Sequence, residues 1–124
     1  MQCTQLTTMI LGEGLEEIGV AAFAQCASLH EIFIPHAVKL IKEAAFLQCS
    51  QMTKVILGDG LDEIGVAAFR ECTSLHEILI PRAVKAINDH TFAQCSQLTT
   101  VILGKGREEI GMQAFAECTS LHEI

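Results

Sequence analysis

Residues 29–51 read LHEIFIPHAVKLIKEAAFLQCSQ, and the 23 residues that follow repeat the same order of apolar, polar and small side chains. The cysteines mark this period most plainly, since one occurs at every twenty-third residue: Cys3, Cys26, Cys49, Cys72, Cys95 and Cys118. Five of the six phenylalanines keep the same step without an insertion: Phe23, Phe46, Phe69, Phe92 and Phe115. A strict period of this length is typical of a solenoid, in which each coil packs only on its neighbours.

A second period of two coils, or 46 residues, lies over the first. One structural position alternates between glycine and proline, as Gly12, Pro35, Gly58, Pro81 and Gly104. We call the two kinds of repeat glycine coils and proline coils. At this turn proline stops strand pairing, and glycine is expected to supply a positive φ. Duplication of a two-coil unit is the simplest origin of the pattern.

The repeat resembles the BspA-like leucine-rich repeat, also described as the Treponema pallidum type. The resemblance rests on the pattern Leu29-x-x-Ile32-x-Ile34-Pro35-x-x-Val38-x-x-Ile41-x-x-x-Ala45-Phe46-x-x-Cys49. It covers residues 1–124 as a single solenoid of about five coils. The apolar ends carry no polar capping unit, so we expect an excerpt of a longer array that can self-associate end to end.

The resemblance implies the path of the chain within each coil. Leu29, Ile32 and Ile34 take the inward positions of a leucine-rich-repeat strand, and stacked coils align these strands as a parallel sheet. Val38 and Ile41 are expected to return to the core in a second extended segment, and 45–49 to form a helical turn. The prediction is an α/β repeat solenoid, a stack of 23-residue coils with a parallel β-sheet on one face and short strands and helical turns on the other.

Two features of single columns add to this prediction. One column alternates in charge from coil to coil, which favours stacking: Glu16, Lys39, Asp62, Lys85 and Glu108. In another, Arg107 replaces the apolar residue that other coils bury. Its stem is expected to lie along the core while its charged head reaches solvent.

Composition excludes several classes of function. The formal charge of -7 argues against nucleic-acid binding, which needs a basic surface. No apolar run approaches the length of a membrane span, so membrane insertion by this segment is not expected. The first residues show no basic segment followed by an apolar core, as a secretory signal would.

The cysteines and histidines are weak candidates for chemistry. Each cysteine is alone in its coil, whereas a zinc site needs four convergent ligands and uses close pairs. Buried, reduced thiols are the favoured interpretation. His30 and His76 lie two coils apart, too far for one metal ion to bridge. Because every candidate recurs in most coils, we expect no enzyme, no metal and no cofactor.

The outward side of the strands is the candidate binding face. By leucine-rich-repeat geometry an apolar column lies there: Ile10, Phe33, Ile56, Leu79 and Ile102. Two polar columns accompany it: Thr7, His30, Thr53, His76, Thr99 and His122, then Thr8, Glu31, Lys54, Glu77, Thr100 and Glu123. This arrangement is typical of a protein-binding surface, although β-branched and apolar residues also simply suit strands.

The resemblance implies a non-catalytic protein-interaction module, with adhesion or surface recognition through the strand face. It points to the cell surface or to secretion, and to an unidentified protein or cell-surface ligand. The alternative is a structural spacer or scaffold within a larger protein, whose function lies in flanking domains. Substitution of the apolar column discriminates between them, because a spacer tolerates the change.

Overall fold

The structure, a computed structural model, describes residues 8–12, 14–84, 86–103, 109–110 and 113–121. Ten strands occur in these residues, two in each coil. The first strand of each coil is β1 Thr8–Ile10, β3 Glu31–Ile34, β5 Lys54–Leu57, β7 Glu77–Ile80 or β9 Thr100–Leu103. The second is β2 Glu17–Ile18, β4 Leu40–Ile41, β6 Glu63–Ile64, β8 Ala86–Ile87 or β10 Glu109–Ile110. The described residues include no helix that could cross a membrane.

All strand pairs are parallel, and each pairs with the strand one coil away. Ile32 pairs with Val55 and Ile41 with Ile64, so the register equals the sequence period. The second strands form one five-stranded sheet, in the order β10-β8-β6-β4-β2. The molecule is therefore a parallel-strand solenoid of 23-residue coils, which confirms the predicted stack.

The sheet of first strands is not continuous. It divides into β1-β3-β5 and β7-β9, so β5 and β7 lie side by side without completing a ladder. The coils on either side of this division are joined elsewhere, by β6–β8 pairing and by bonds in the turns. There the N–H of Phe69 donates to the carbonyl of Thr91 at 2.9 Å, and that of Glu71 to Ala93 at 2.8 Å.

The core follows the predicted inward positions. In β3, β5 and β7 the side chains alternate between exposed and buried, because successive residues of a strand point to opposite faces. Val38 and Ile41 are fully buried, which confirms that the chain returns to the core after the turn. The five phenylalanines of the 23-residue column stack along the core, and the ring centroids of neighbours are 5.2–5.5 Å apart.

The predicted helical turn is wrong. Residues 43–48 form successive tight turns in which Ala44 and Gln48 have φ values of 57° and 61°. The equivalent left-handed residues of the other coils are Ala21 and Gln25, Ala67 and Glu71, His90 and Gln94, and Gln113 and Glu117. A residue in this conformation ends a right-handed helix.

Hydrogen bonds between coils are the physical reason for these turns. The N–H of Ala45 donates within its own coil to Lys42, at 3.2 Å, whereas the N–H of Ala44 donates to Val66 of the next coil, at 3.0 Å. The N–H groups of Phe46 and Gln48 also reach the next coil. A helix would keep all these bonds inside the coil and leave the neighbouring coil unpaired.

Glycine occupies these turn positions for a reason other than the expected positive φ. Gly58, Gly60 and Gly65 all lie outside the left-handed region. A Cβ added at Gly58 would lie 2.6 Å from the carbonyl oxygen of Ile34, and one at Gly60 would overlap the carbonyl oxygen of His36. The missing side chains therefore let this glycine coil approach the backbone of the preceding proline coil.

The alternating charges are neighbours in the stack, but their side chains do not pair. The N–H of Lys39 donates to the carbonyl of Glu16 at 2.8 Å, and that of Asp62 to Lys39 at 2.9 Å. No ion pair within 4.0 Å joins the side chains of these three residues, whereas Lys42 pairs with Glu17 at 3.1 Å. Lys85, Arg107 and Glu108 lie outside the described residues.

Replacing Gly60 by alanine tests the close approach of the coils. The added Cβ forces the two backbones apart, so Gly60→Ala should lower the free energy of unfolding by about 1–3 kcal/mol. Gly14→Ala is the matched control, because Gly14 holds the same position in another glycine coil and its Cβ meets nothing within 4 Å. Urea denaturation followed by circular dichroism measures both changes. Equal midpoints for the two variants would contradict the explanation.

Candidate functional site

Four of the five residues in the candidate apolar column are exposed on one side of the first strands. The exposed fractions are 57% for Phe33, 38% for Ile56, 56% for Leu79 and 42% for Ile102. We call these four residues the apolar stripe, and the outward side of the first strands the strand face. Ile10 pairs with Phe33 through the backbone. The structure describes the backbone of Ile10 but not its side chain.

The polar columns lie beside the stripe, on the side where the strands begin. His30, Thr53 and His76 are exposed, and Thr99 is half-buried. The hydroxyl of Thr53 donates to the carbonyl of His30 at 3.3 Å, and that of Thr99 to His76 at 3.2 Å, so each threonine is tied to the preceding coil. In the next column Glu31, Lys54 and Glu77 are exposed. Thr7, His122 and Glu123 lie outside the described residues.

The exposure of the side chains in the stripe alternates with the two-coil period. Phe33 and Leu79, in the proline coils, are more exposed than Ile56 and Ile102, in the glycine coils. Isoleucine branches at Cβ and keeps its bulk close to the backbone, whereas phenylalanine and leucine extend further. The stripe is therefore a row of alternating high and low apolar side chains.

A depression at the carboxyl ends of β3 and β5 was not predicted from the sequence. Its volume is about 840 Å³, and the residues that line it are mostly apolar: Leu11, Phe33, Pro35, His36, Ala37, Ile56, Leu57, Gly58 and Asp59. It thus continues the stripe, because Phe33 and Ile56 belong to both. The signal in the sequence is the glycine at position 58, which carries no side chain to fill the space beside Pro35.

A column of polar turn residues also borders the stripe, on the side where the strands end. His36, Asp59 and Arg82 succeed one another at the 23-residue step, and all three are exposed. This column was not predicted from the sequence. The structure places His36 and Asp59 on the wall of the depression, next to the strand face.

A ladder of amide and carboxylate side chains runs along the left-handed turn positions. The side-chain amide of Gln25 donates to Gln48 at 2.8 Å, and that of Gln48 to Glu71 at 3.2 Å. Nearby, Arg70 donates to the side chain of Gln94 at 3.3 Å and borders a polar cleft of about 160 Å³. These groups bond to one another from coil to coil, which is a structural role.

The cysteines from Cys26 to Cys118 form a column of thiols that are buried, except for the half-buried Cys118. The Sγ of Cys72 donates to the carbonyl of Phe46 in the preceding coil at 3.3 Å, and that of Cys95 to Phe69 at 3.2 Å. Cys49 and Cys118 make the equivalent bonds. Within the described ranges, no group of three histidine, cysteine or acidic residues could hold a metal ion.

Burial keeps the thiols of Cys72 and Cys95 neutral. It raises the pKa of Cys95 to about 12 from the ordinary 9.0. Burial also raises the pKa of Cys72 well above 9.0, and the neighbouring thiols Cys95 and Cys49 add to that shift. Since the thiolate is the nucleophile and the metal ligand, the geometry favours a packing role over thiol chemistry.

Comparison with known proteins agrees with this architecture. A family model described as the BspA-type leucine-rich repeat region matches residues 1–123 in six copies. The crystal structure of a leucine-rich repeat protein of T. pallidum has 35% sequence identity and a TM-score of 0.90, over 94% of this chain and 56% of that one. No curated protein matches the chain.

Two further solved structures are similar. A leucine-rich cell surface protein of Faecalibacterium prausnitzii has 28% identity and a TM-score of 0.94, over 98% of this chain and 32% of that one. A leucine-rich repeat protein of Bacteroides ovatus has 28% identity and a TM-score of 0.76, over 95% of this chain and 36% of that one. The chain therefore spans about half of the first of these proteins and about a third of the other two.

The raised thiol pKa values predict how stability depends on pH. Below pH 9 the folded and unfolded states both hold the thiol protons, so the contribution to stability is fully present. As pH rises from 9.0 towards 12, Cys95 ionises in the unfolded chain but stays neutral in the fold. The free energy of unfolding should therefore fall over this window, by about 1.4 kcal/mol for each unit of difference in pKa.

Cys95→Ser isolates this effect. A serine hydroxyl can donate to the carbonyl of Phe69 as the thiol does, but it does not titrate in this range. Urea denaturation with reductant, repeated between pH 8 and 11, should give a shallower fall for the variant than for the parent chain. The lysines titrate in both proteins and cancel in the comparison. Equal slopes would show that the buried thiol is not responsible.

Proposed function

We propose that this chain, which belongs to the BspA-type leucine-rich repeat family, is a protein-interaction module that binds its partners through the strand face. The observation that carries the proposal is the apolar stripe. Among the described residues six large hydrophobic side chains are exposed, and four of them lie in this one column. Contiguous apolar surface on a soluble protein marks interaction sites, whereas scattered exposed residues need no explanation.

The second sheet argues against strand propensity as the explanation of the stripe. If strands of this protein needed apolar outward residues, the second strands would also carry them. Their outward positions instead include Glu17 and Glu63, which are exposed, and the half-buried Leu40. The apolar residues are thus concentrated on the strand face, with charged and polar columns beside them, as in the centre and rim of a protein interface.

The rigidity of the stack supports the same function. The backbone of each strand on this face is paired to a neighbour on at least one side, and the inward side chains of β3, β5 and β7 are buried. Little conformational entropy remains for the stripe to lose on binding, which favours affinity. A catalytic role has no such support, because the cysteine column repeats in every coil and the histidine column in every second coil, whereas a catalytic site needs one unique group of residues.

We also propose that the protein is located at the cell surface and acts there in adhesion or recognition. The F. prausnitzii structure is described as a leucine-rich cell surface protein, and this chain covers 32% of it. The activity of a whole protein of that length would also depend on its other parts. A structural spacer is the second candidate, because the chain matches only part of each longer relative.

A matched pair of lysine substitutions tests the stripe. Ile56→Lys places a charge in the centre of the strand face, whereas Val66→Lys alters a residue of the same coil that is 41% exposed but follows β6. Peptides selected from a display library against the parent chain should bind Ile56→Lys about thirtyfold more weakly or worse, as expected for an interface hot spot. Their affinity for Val66→Lys should stay within about twofold.

Circular dichroism serves as the folding control, and both variants should give the parent spectrum. Affinities are measured by biolayer interferometry. Peptides that lose affinity equally for both variants, or for neither, would contradict the proposal and favour the spacer.

A further inference from the structure

Every column of the strand face alternates with the two-coil period. The apolar stripe alternates between more and less exposed side chains, and the column that precedes the strands alternates between histidine and threonine. In the third column Lys54 lies between two glutamates, Glu31 and Glu77. The turn column does not keep this period, but Asp59 and Arg82 of adjacent coils carry opposite charges. Adjacent coils therefore present surfaces that differ in relief and in charge.

We propose that the strand face binds the strand face of a second copy of this chain, about a two-fold axis parallel to the strands and midway between β5 and β7. The inference rests on the proposed function, since it names a partner for the same face. Rotation about this axis reverses the order of the coils but keeps each residue's position along the strand. Thus β5 faces β7 of the second copy, β3 faces β9, and the two sheets pack with aligned strands.

The relief of the stripe is complementary under this rotation. Leu79 of one copy meets Ile56 of the other, and Phe33 meets Ile102. Each contact joins a more exposed side chain from a proline coil to a less exposed one from a glycine coil. The depression bordered by Phe33, Ile56 and Gly58 is open to receive Leu79 of the second copy.

The charges are complementary on both sides of the stripe. Lys54 of one copy faces Glu77 of the other, and Asp59 faces Arg82. By symmetry each pair occurs twice. All four side chains are exposed, and none forms an ion pair within 4.0 Å inside the described part of the chain. They are therefore available to a partner of opposite charge, and the second copy supplies it in register.

The alternation also selects against registers in which the axis is shifted by half a coil. A shift by half a coil places the axis on β5, where Lys54 meets Lys54 and Glu31 meets Glu77. The axis between β5 and β7 opposes unlike charges and brings all four residues of the stripe into contact. The interrupted ladder between β5 and β7 lies on this axis. The distance between β5 and β7 is the same in both copies, so the interruption does not disturb the pairing of residues across the interface.

Charge reversal and charge exchange test the interface. Sedimentation equilibrium of the parent chain should show a monomer–dimer equilibrium. Lys54→Glu and Glu77→Lys should each raise the dimer dissociation constant at least tenfold, because each puts like charges together twice. The double variant Lys54→Glu/Glu77→Lys should return it to within about threefold of the parent value.

Two matched controls carry the same charge changes elsewhere. Lys39→Glu and Glu63→Lys alter exposed residues at or beside the second strands, and each should change the dissociation constant by less than about twofold. Circular dichroism of all five variants establishes that they are folded. If one single variant does not fold, the other single variant and the double variant still decide the result.

Several outcomes would overturn the two-fold interface. They are a monomer at every concentration up to the millimolar range, an open series of larger oligomers unaffected by the variants, or single variants that the double variant does not rescue. The proposed function is tested separately by the peptide selection. Peptide binding that depends on Ile56, in a chain that stays monomeric, leaves the proposed function standing and removes the dimer. A monomeric chain whose peptide binding does not depend on Ile56 would overturn both the dimer and the proposed function.

Discussion

The period of 23 residues depends on a backbone carbonyl oxygen in each coil that accepts hydrogen bonds from two coils. The carbonyl of Phe46 accepts the N–H of Cys49 from its own coil at 3.3 Å and the Sγ of Cys72 from the next coil at 3.3 Å. Its ring meanwhile lies between those of Phe23 and Phe69. Each coil must therefore offer its successor the same groups in the same place. An insertion would break several of these contacts at once, so the period stays strict.

The sequence predicts best those features that depend on one coil alone. The inward positions Ile32 and Ile34 and the outward position of Phe33 follow from the alternation of a strand, and the structure confirms them. The turns at Ala44 and Gln48 could not be predicted in this way. Their left-handed φ values are set by hydrogen bonds to the next coil, and alanine and glutamine give no local signal for them.

The candidate site also combines features that depend on one coil with features that depend on two. Exposure of the apolar stripe follows from the period of a single strand, whereas the depression beside it depends on how two coils meet. Gly58 was interpreted from its own conformational freedom, but its role is to let a neighbouring backbone come close. Such a role belongs to the pair of coils and is visible only when both are in place.

The fit of a glycine coil against a proline coil also limits how such an array can change in evolution. Loss or gain of one coil would bring two proline coils or two glycine coils together and remove the close approach seen at Gly58 and Gly60. Loss or gain of two coils leaves every junction as it was. The gene can therefore lengthen or shorten most easily in units of two repeats. Recombination within the array would then preserve the reading frame, the packing and the alternating surface together.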